Sequence, residues 1–327
     1  MSAMTKSGRL SRIGSFTGRY WKVCAALLLL ARHSLAYGFD SGEAGFTAVV
    51  GGLQVPYKVM AVTAMPGEEL VIKVPKATAA TAAMGALVKD SETRYRWTAP
   101  QRSGLVTLEL TRAIEQQRMT LNIFVLRPTA DIRDDKLDGY RIGQYPQQAY
   151  RGLAAYEAPS GLVEVTSAVM DTPLSPHFTL RQFLCKQAAV NGKEFMLFRP
   201  ELLLKLETIL RKINERGVTA DTLFIMSGYR TPHYNASIGN SKNSRHIYGG
   251  AADWYVDMSP KDGRMDDVNR DGKIDRKDAG YLYSLVEGLS KESEWFKGGI
   301  GEYGSTASHG PFVHVDVRGQ RARWGRR

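Results

Sequence analysis

Two short stretches carry the residue types that a transition-metal ion needs. One runs Ser244-Arg-His246-Ile-Tyr-Gly249-Gly-Ala251-Ala-Asp253, the other Phe312-Val-His314-Val-Asp316-Val-Arg318. Zinc takes imidazole nitrogen and carboxylate oxygen, and a catalytic zinc keeps three protein ligands and one open position. His246, Asp253 and His314 supply such a set. The glycines and alanines between the first two let backbone pass near an ion without side-chain crowding. Asp316 follows His314 by two residues on a predicted strand, so both should share one face.

A further stretch suits a hard cation. Asp267-Val-Asn269-Arg-Asp271-Gly272-Lys273-Ile274-Asp275-Arg-Lys-Asp278 fits the twelve-position EF-hand loop. Its oxygens would come from Asp267, Asn269, Asp271, Asp275 and Asp278 and from the Lys273 carbonyl, with Gly272 at the sharp turn. With Asp278 rather than Glu at the last position, the loop resembles the calcium loops of dockerin-type repeats. The expectation is one structural Ca2+, with Ile274 anchoring the loop to the core.

The pattern Ser-x-His-x-x-Gly-x-Ala-x-Asp, followed far downstream by Val-His-Val, resembles the zinc D-alanyl-D-alanine carboxypeptidase and murein endopeptidase family. Lysostaphin-type peptidases and the hedgehog signalling domain share its zinc-site architecture. The resemblance covers about residues 178 to 325 and includes Ser227-Gly-Tyr229-Arg230, similar to the family's substrate-binding arginine loop. It implies His246, Asp253 and His314 as zinc ligands, and Arg230 as an anchor for substrate or transition-state oxygen. Tyr229 and Ser244 are expected beside the substrate. Many members carry an acidic base three residues before the last ligand, where this chain has Pro311. Asp316 is the first candidate for the base, or else a partner that orients a metal ligand, with Glu302 and His309 as alternatives for the base. His177, His233 and the apolar-flanked Cys185 read as structural residues.

The elements that must position these residues follow from periodicity. Residues 45 to 126 alternate in short runs (Leu53, Val55, Tyr57, Val59; Leu70, Ile72, Val74; Tyr95, Trp97), which predicts a small β-sandwich over 37–126. The Ala-rich stretch 77 to 87 interrupts it as a loop or a helical turn. Turn-rich residues 127–175 read as a connector with few strands, among them Gly161 to Thr166. An α+β zinc peptidase domain is expected over 176–327. Its first helix spans 200 to 216, opened by Pro200 and closed by Gly217. A strand is predicted over Thr222 to Met226, a helix over 278 to 290 and a strand over Phe312 to Val317.

Residues 1 to 36 read as a secretory signal peptide: basic Lys6 to Lys22, apolar Val23 to Ala31, then Ser34-Leu35-Ala36. Arg32 and His33 also fit an uncleaved membrane anchor. The stretch holds six Lys or Arg and no Asp or Glu, so its removal lowers the formal net charge of +11 to +5. The arginines at 318, 321, 323, 326 and 327 read as a solvated tail, and nucleic acid is not the expected partner. Hydrophobic residues at 43% and charged residues at 24% are ordinary for a globular chain, which excludes collagenous or broadly disordered classes. Cys24 lies in the leader, so Cys185 has no partner for an internal disulfide.

Together these features predict an exported zinc metallopeptidase of the periplasm or cell envelope. It would cut peptidoglycan stem peptides or cross-links as a D,D-carboxypeptidase or endopeptidase. The rival readings are a non-catalytic wall-binding module with a structural zinc, and a zinc peptidase acting on exported proteins or small dipeptides.

Overall fold

The computed structural model describes residues 38–292 and 297–325. The expected leader lies outside the described residues. Alternation along the N-terminal third produces nine strands: β1 (Glu43–Val50), β2 (Leu53–Tyr57), β3 (Val59–Ala64), β4 (Glu69–Lys73), β5 (Thr78–Ala82), β6 (Ala86–Ser91), β7 (Arg94–Thr98), β8 (Gly104–Arg112) and β9 (Gln117–Val125). They form one sheet in the order β2-β1-β4-β7-β6 and another in the order β3-β9-β8-β5. Every second residue of β1 is buried, from Ala44 through Phe46 and Ala48 to Val50, as a half-buried strand requires. The Ala-rich stretch is a correction. It forms β5 and β6, one in each sheet, with β5 paired antiparallel to β8 from Thr78–Arg112 to Ala82–Leu108. Ladder pairing here overrides the weak strand preference of alanine.

Residues 127–175 are short strands and single turns rather than a free linker. Leu137, Tyr140, Leu162, Val163 and Leu174 are buried in the same core cluster as the sheets on either side. Strand β10 (Gly161–Val165) pairs with β11 (Glu194–Met196). Phe124 on β9 meets Phe198 edge to face at 5.7 Å, which joins the N-terminal sheets to the C-terminal half.

The C-terminal half is mixed α and β. Helix α1 (Pro200–Glu215) buries Leu202, Leu206, Ile209 and Ile213, the stripe its sequence spacing prescribes. Beyond it lies a five-stranded sheet: β12 (Phe224–Ser227), β13 (Ala251–Tyr255), β14 (Gly299–Tyr303), β15 (Phe312–Asp316) and β16 (Ala322–Trp324), in the order β12-β13-β15-β14-β16. Short helix α2 (Pro232–Ser237) comes after β12, and α3 (Arg276–Glu292) packs on β14 and β15. Asp253 lies opposite His314 across β13 and β15, and Gly301 lies opposite His314 across β15 and β14. Paired residues share a face, so Asp253, His314, Asp316 and Gly301 look one way, while Trp254, Val313, Val315 and Glu302 look the other. No helix among the described residues is long and apolar enough to cross a membrane.

The basic C-terminus is not a solvated tail over its described part. Arg318 pairs with Asp316, and Arg321 and Arg323 both pair with Glu287 on α3. Strand β16 brings these arginines back onto the helix.

Candidate metal centre

His246 sits on a single 3-10 turn, Arg245–Tyr248, closed by Gly249 in the left-handed conformation at φ 63°. A Cβ at Gly249 would strike the Leu197 carbonyl. This glycine therefore serves the turn and its close approach to a neighbouring chain segment, a different role from making room at an ion. The His246 ring is buried, and its Nδ1–H donates to the Gly228 carbonyl at 2.7 Å. That leaves Nε2 as the free lone pair, 3.3 Å from His314 Nδ1 and 3.3 Å from Asp253 Oδ1. His314 reaches the same point from β15, its Nδ1 2.7 Å from Asp253 Oδ1. The three donor atoms lie within 4.8 Å of one another, and all three residues are buried. Among the described residues this is the one group of histidine, cysteine and carboxylate side chains gathered closely enough to hold a metal ion.

The groups behind the donors make the set fit zinc. Metal-bound histidines commonly give their far N–H to a carbonyl or carboxylate, which fixes the tautomer and the ring. Gly228 does this for His246, and Asp316 does it for His314, with Nε2 3.2 Å from Asp316 Oδ2. Asp253 turns its second oxygen to Arg230 Nη2 at 2.6 Å, and Arg230 Nε is held by Ser227 Oγ at 2.8 Å. Burial lowers the His246 pKa, so it stays neutral, as a ligand must. Burial would raise that of Asp253, but His246 and His314 outweigh it and hold the carboxylate ionised. Burial likewise opposes a charge on His314, yet Asp253 and Asp316 raise its pKa. A cation held by these three donors would replace the proton in the His314–Asp253 hydrogen bond.

The structure separates the other sequence candidates. Asp316 is fully buried and lies behind the His314 ring, away from the donor cluster. Its oxygens also accept from the backbone N–H groups of Gly299 at 2.8 Å and Arg318 at 3.0 Å, and from the Arg318 guanidinium. Burial acts to raise its pKa, but His314 and Arg318 outweigh that and hold it far below the ordinary carboxylate range. So bonded, it cannot take a proton from water at the metal. It is a positioning residue, the second of the two roles that the sequence leaves open for it, and not the base. A Cβ at Gly299 would collide with this carboxylate, and one at Gly301 with the Trp324 indole, which stands 5.1 Å from the His314 ring.

Glu302 is also corrected. It faces α3, on the side of β14 opposite His314, and accepts from Arg276 Nε at 2.7 Å. Tyr229 is buried with its hydroxyl 2.8 Å from the Tyr145 hydroxyl, so it cannot meet a substrate. Ser244 is half-buried immediately before the His246 turn. His309 is the one base candidate on open ground. It edges Phe312 at 5.0 Å and lines a cleft of about 950 Å3 together with Ser227 and Arg230. Cys185 is buried, and burial raises its pKa, consistent with an inert thiol.

Sequence reasoning missed three supports. The Gly228 carbonyl and the Arg318 clamp on Asp316 were two of them, and the third was Lys205, buried on α1 with Nζ donating to the Asp316 carbonyl at 2.8 Å. The alternation His314, Asp316, Arg318 was a readable signal for the second. The first and third depend on chain segments distant in sequence.

The acidic loop has a different arrangement. Asp267 accepts from the N–H groups of Asp271 and Gly272 at 3.1 and 2.8 Å, and Asn269 accepts from Asp271 at 2.8 Å. Asp271 accepts from Lys273 at 3.1 Å, Asp275 from Lys277 at 2.7 Å, and buried Asp278 from Asn269 and Asp275 at 3.2 and 2.9 Å. The loop's oxygens are spread over backbone donors, and its carboxylates are absent from the metal-holding group. Nothing in the structure supports calcium here. Ile274 is 55% exposed rather than anchored in the core, a further correction.

Residues 176–280 match the sequence model of the family described as Peptidase M15. No curated protein and no solved structure matches the chain. The matched segment contains His246 and Asp253, and β15 adds His314 from beyond its end. About a third of the chain is thus similar to Peptidase M15, and the buried His-Asp-His group, completed by His314 from outside the matched segment, fits the zinc dependence of that family.

Proposed function

We propose that this chain is an exported zinc metallopeptidase that hydrolyses peptide bonds in peptidoglycan stem peptides or their cross-links, as a D,D-carboxypeptidase or a murein endopeptidase. A fold of the D-Ala-D-Ala peptidase and hedgehog type over 176–327 is part of this reading. The single observation that carries it is the convergence of His246 Nε2, His314 Nδ1 and Asp253 Oδ1, each backed by a fixed partner. Zinc bound there would supply a Lewis acid and an activated water.

The remaining work falls to the chain itself. Gly228 and Asp316 keep the two imidazoles in the tautomers that leave their donors free. Arg230 holds Asp253 in place and borders the cleft, where its guanidinium can meet a substrate carboxylate or a developing oxyanion. With Asp316 and Glu302 turned away, His309 is the side chain positioned to receive a proton in that cleft.

Digestion of purified sacculi, with mass spectrometry of the released muropeptides, tests this reading. Release of peptides shortened at a D-Ala or opened at a cross-link is expected. Intact sacculi alongside cleavage of exported-protein peptides or dipeptides would overturn the substrate and favour the zinc peptidase of other specificity. The absence of an acidic residue at Pro311, with both acidic candidates turned aside, favours a second reading as a wall-binding module. That module would sediment with sacculi and release nothing.

A further inference from the structure

The cleft beside Arg230 collects features that the metal chemistry does not use. Eight large hydrophobic side chains are notably exposed among the described residues, and three of them line this one cleft: Phe224 at 39%, Ile238 at 46% and Ile274 at 55%. They come from β12, from the end of α2 and from the tip of the acidic loop. Exposed apolar side chains gathered in one concavity mark a binding surface more than scattered ones do. The loop's unanchored Ile274 thereby acquires a place, as part of the cleft wall rather than of the core.

Charge adds direction. The cleft is lined by Lys186, Arg230 and Arg264 and by no Asp or Glu. Arg230 is engaged by Asp253. Lys186 and Arg264 are exposed, and neither forms an ion pair among the described residues. Two unpaired cations over apolar walls suit a ligand that is both apolar and anionic.

The backbone indicates its shape. Strand β12 is the outer strand of its sheet and pairs on one side with β13. Beyond that ladder, Phe224, Ile225 and Met226 make no backbone hydrogen bond among the described residues. A second cleft of about 1020 Å3 shares Lys186, Phe224, Met226 and Ser227 with the first, so the groove continues along this strand, where Glu194 and Asp257 join its lining and leave Lys186 and Arg264 at the first cleft as the anchors for carboxylates. An open strand edge is a template for an extended peptide. Its far end leads through Ser227 and Gly228 to Arg230 and the His246 ring.

We propose that this groove docks an extended, carboxylate-bearing peptide along β12, with apolar side chains against Phe224, Ile238 and Ile274 and carboxylates against Lys186 and Arg264. The proposal rests on the peptidase reading of the adjoining site and names its substrate class: peptides that alternate apolar and acidic groups.

The test is calorimetric titration of the full, zinc-loaded chain with a short peptide of alternating valine and glutamate, and with its twin carrying glutamine. Alternation places apolar and acidic groups on opposite faces of an extended chain. The recovered peptides are analysed by mass spectrometry, so turnover, which tests the peptidase reading, is read separately from affinity. The glutamate peptide should bind about tenfold tighter than its twin, the scale of two exposed ion pairs. K186Q together with R264Q should abolish that difference. I238S together with I274S should weaken both peptides about tenfold, through lost apolar contact. Both double variants replace exposed side chains and should melt like the parent. Equal binding of the two peptides, or unchanged affinity in both double variants, overturns the proposal even if the protein cleaves peptides. Discrimination without cleavage retains the groove, and the peptidase reading then stands or falls on the digestion of sacculi.

Discussion

The donor cluster at His246, Asp253 and His314 and the acidic loop at 267–278 offer similar raw material with opposite results. Each gathers several metal-binding side chains in a short stretch or a strand pair. In the cluster, the far side of every donor residue is occupied by a fixed partner: the Gly228 carbonyl, Asp316 and Arg230. The near atoms are left to converge. In the loop, the side-chain oxygens accept backbone N–H groups of the same loop, and no three of its carboxylates converge. A ligand pattern becomes a metal centre when other residues hold its donors from behind. Where the donors turn to the chain's own amides and do not converge, the same residue types build a turn.

The sharpest way to break this contrast is to remove a group that stands behind a donor. Asp316→Asn should lower zinc affinity about 10- to 100-fold, with activity restored by excess zinc. Equilibrium dialysis beside rate measurements decides it. Unchanged zinc affinity with lost turnover would return Asp316 to the role of base. His309→Gln should retain zinc and lower turnover about 100-fold, while Glu302→Gln should leave turnover near the parent's. A steady-state comparison of the two variants, with metal content measured on the same samples, checks the assignment.

The loop should respond in a smaller way. Asp267→Ala removes the acceptor for two backbone N–H groups and should cost about 1–3 kcal/mol in chemical denaturation. Calcium should not alter that figure. A calcium-dependent rise in the Tm of the parent, lost in Asp267→Ala, would restore the metal reading of the loop and erase the contrast.

The mildest effect lies away from both regions, at a buried carboxylate held from one side. Glu207 on α1 meets His177 Nδ1 at 2.6 Å. Burial opposes a charge on His177, but the Glu207 hydrogen bond and charge outweigh it and raise its pKa above the ordinary 6.5. A raised histidine pKa contributes stability that is fully present below the unfolded value and is lost as pH rises through the folded one. Stability should therefore fall as pH climbs above about 6.5 through that pKa, and His177→Gln should flatten this slope in denaturation curves taken across pH.

The ligands were legible because zinc chemistry restricts residue type and the motif restricts spacing. The helices α1 and α3 and strands β12 and β15 were legible from periodicity, with ends shifted by a few residues, while β13 was not read. What failed needed register or distant contacts. Alternation put Asp316 on the face of His314, but not on which side of the ring it stands. The parity of Glu302 comes only from its pairing with Val313. Tyr229 is withdrawn by Tyr145, 84 residues earlier, a contact no local pattern carries. Ile274 has the spacing of a core anchor, yet it stands in the cleft wall. The Ala-rich stretch has little strand preference of its own and takes its form from β8 and β7.

The most direct test of the account is metal analysis of the purified full chain beside His246→Ala and His314→Ala. One zinc per parent chain is expected, with both variants folded by circular dichroism, free of zinc and inactive on peptide substrates. Zinc retained at the parental level in both variants would contradict the centre described here.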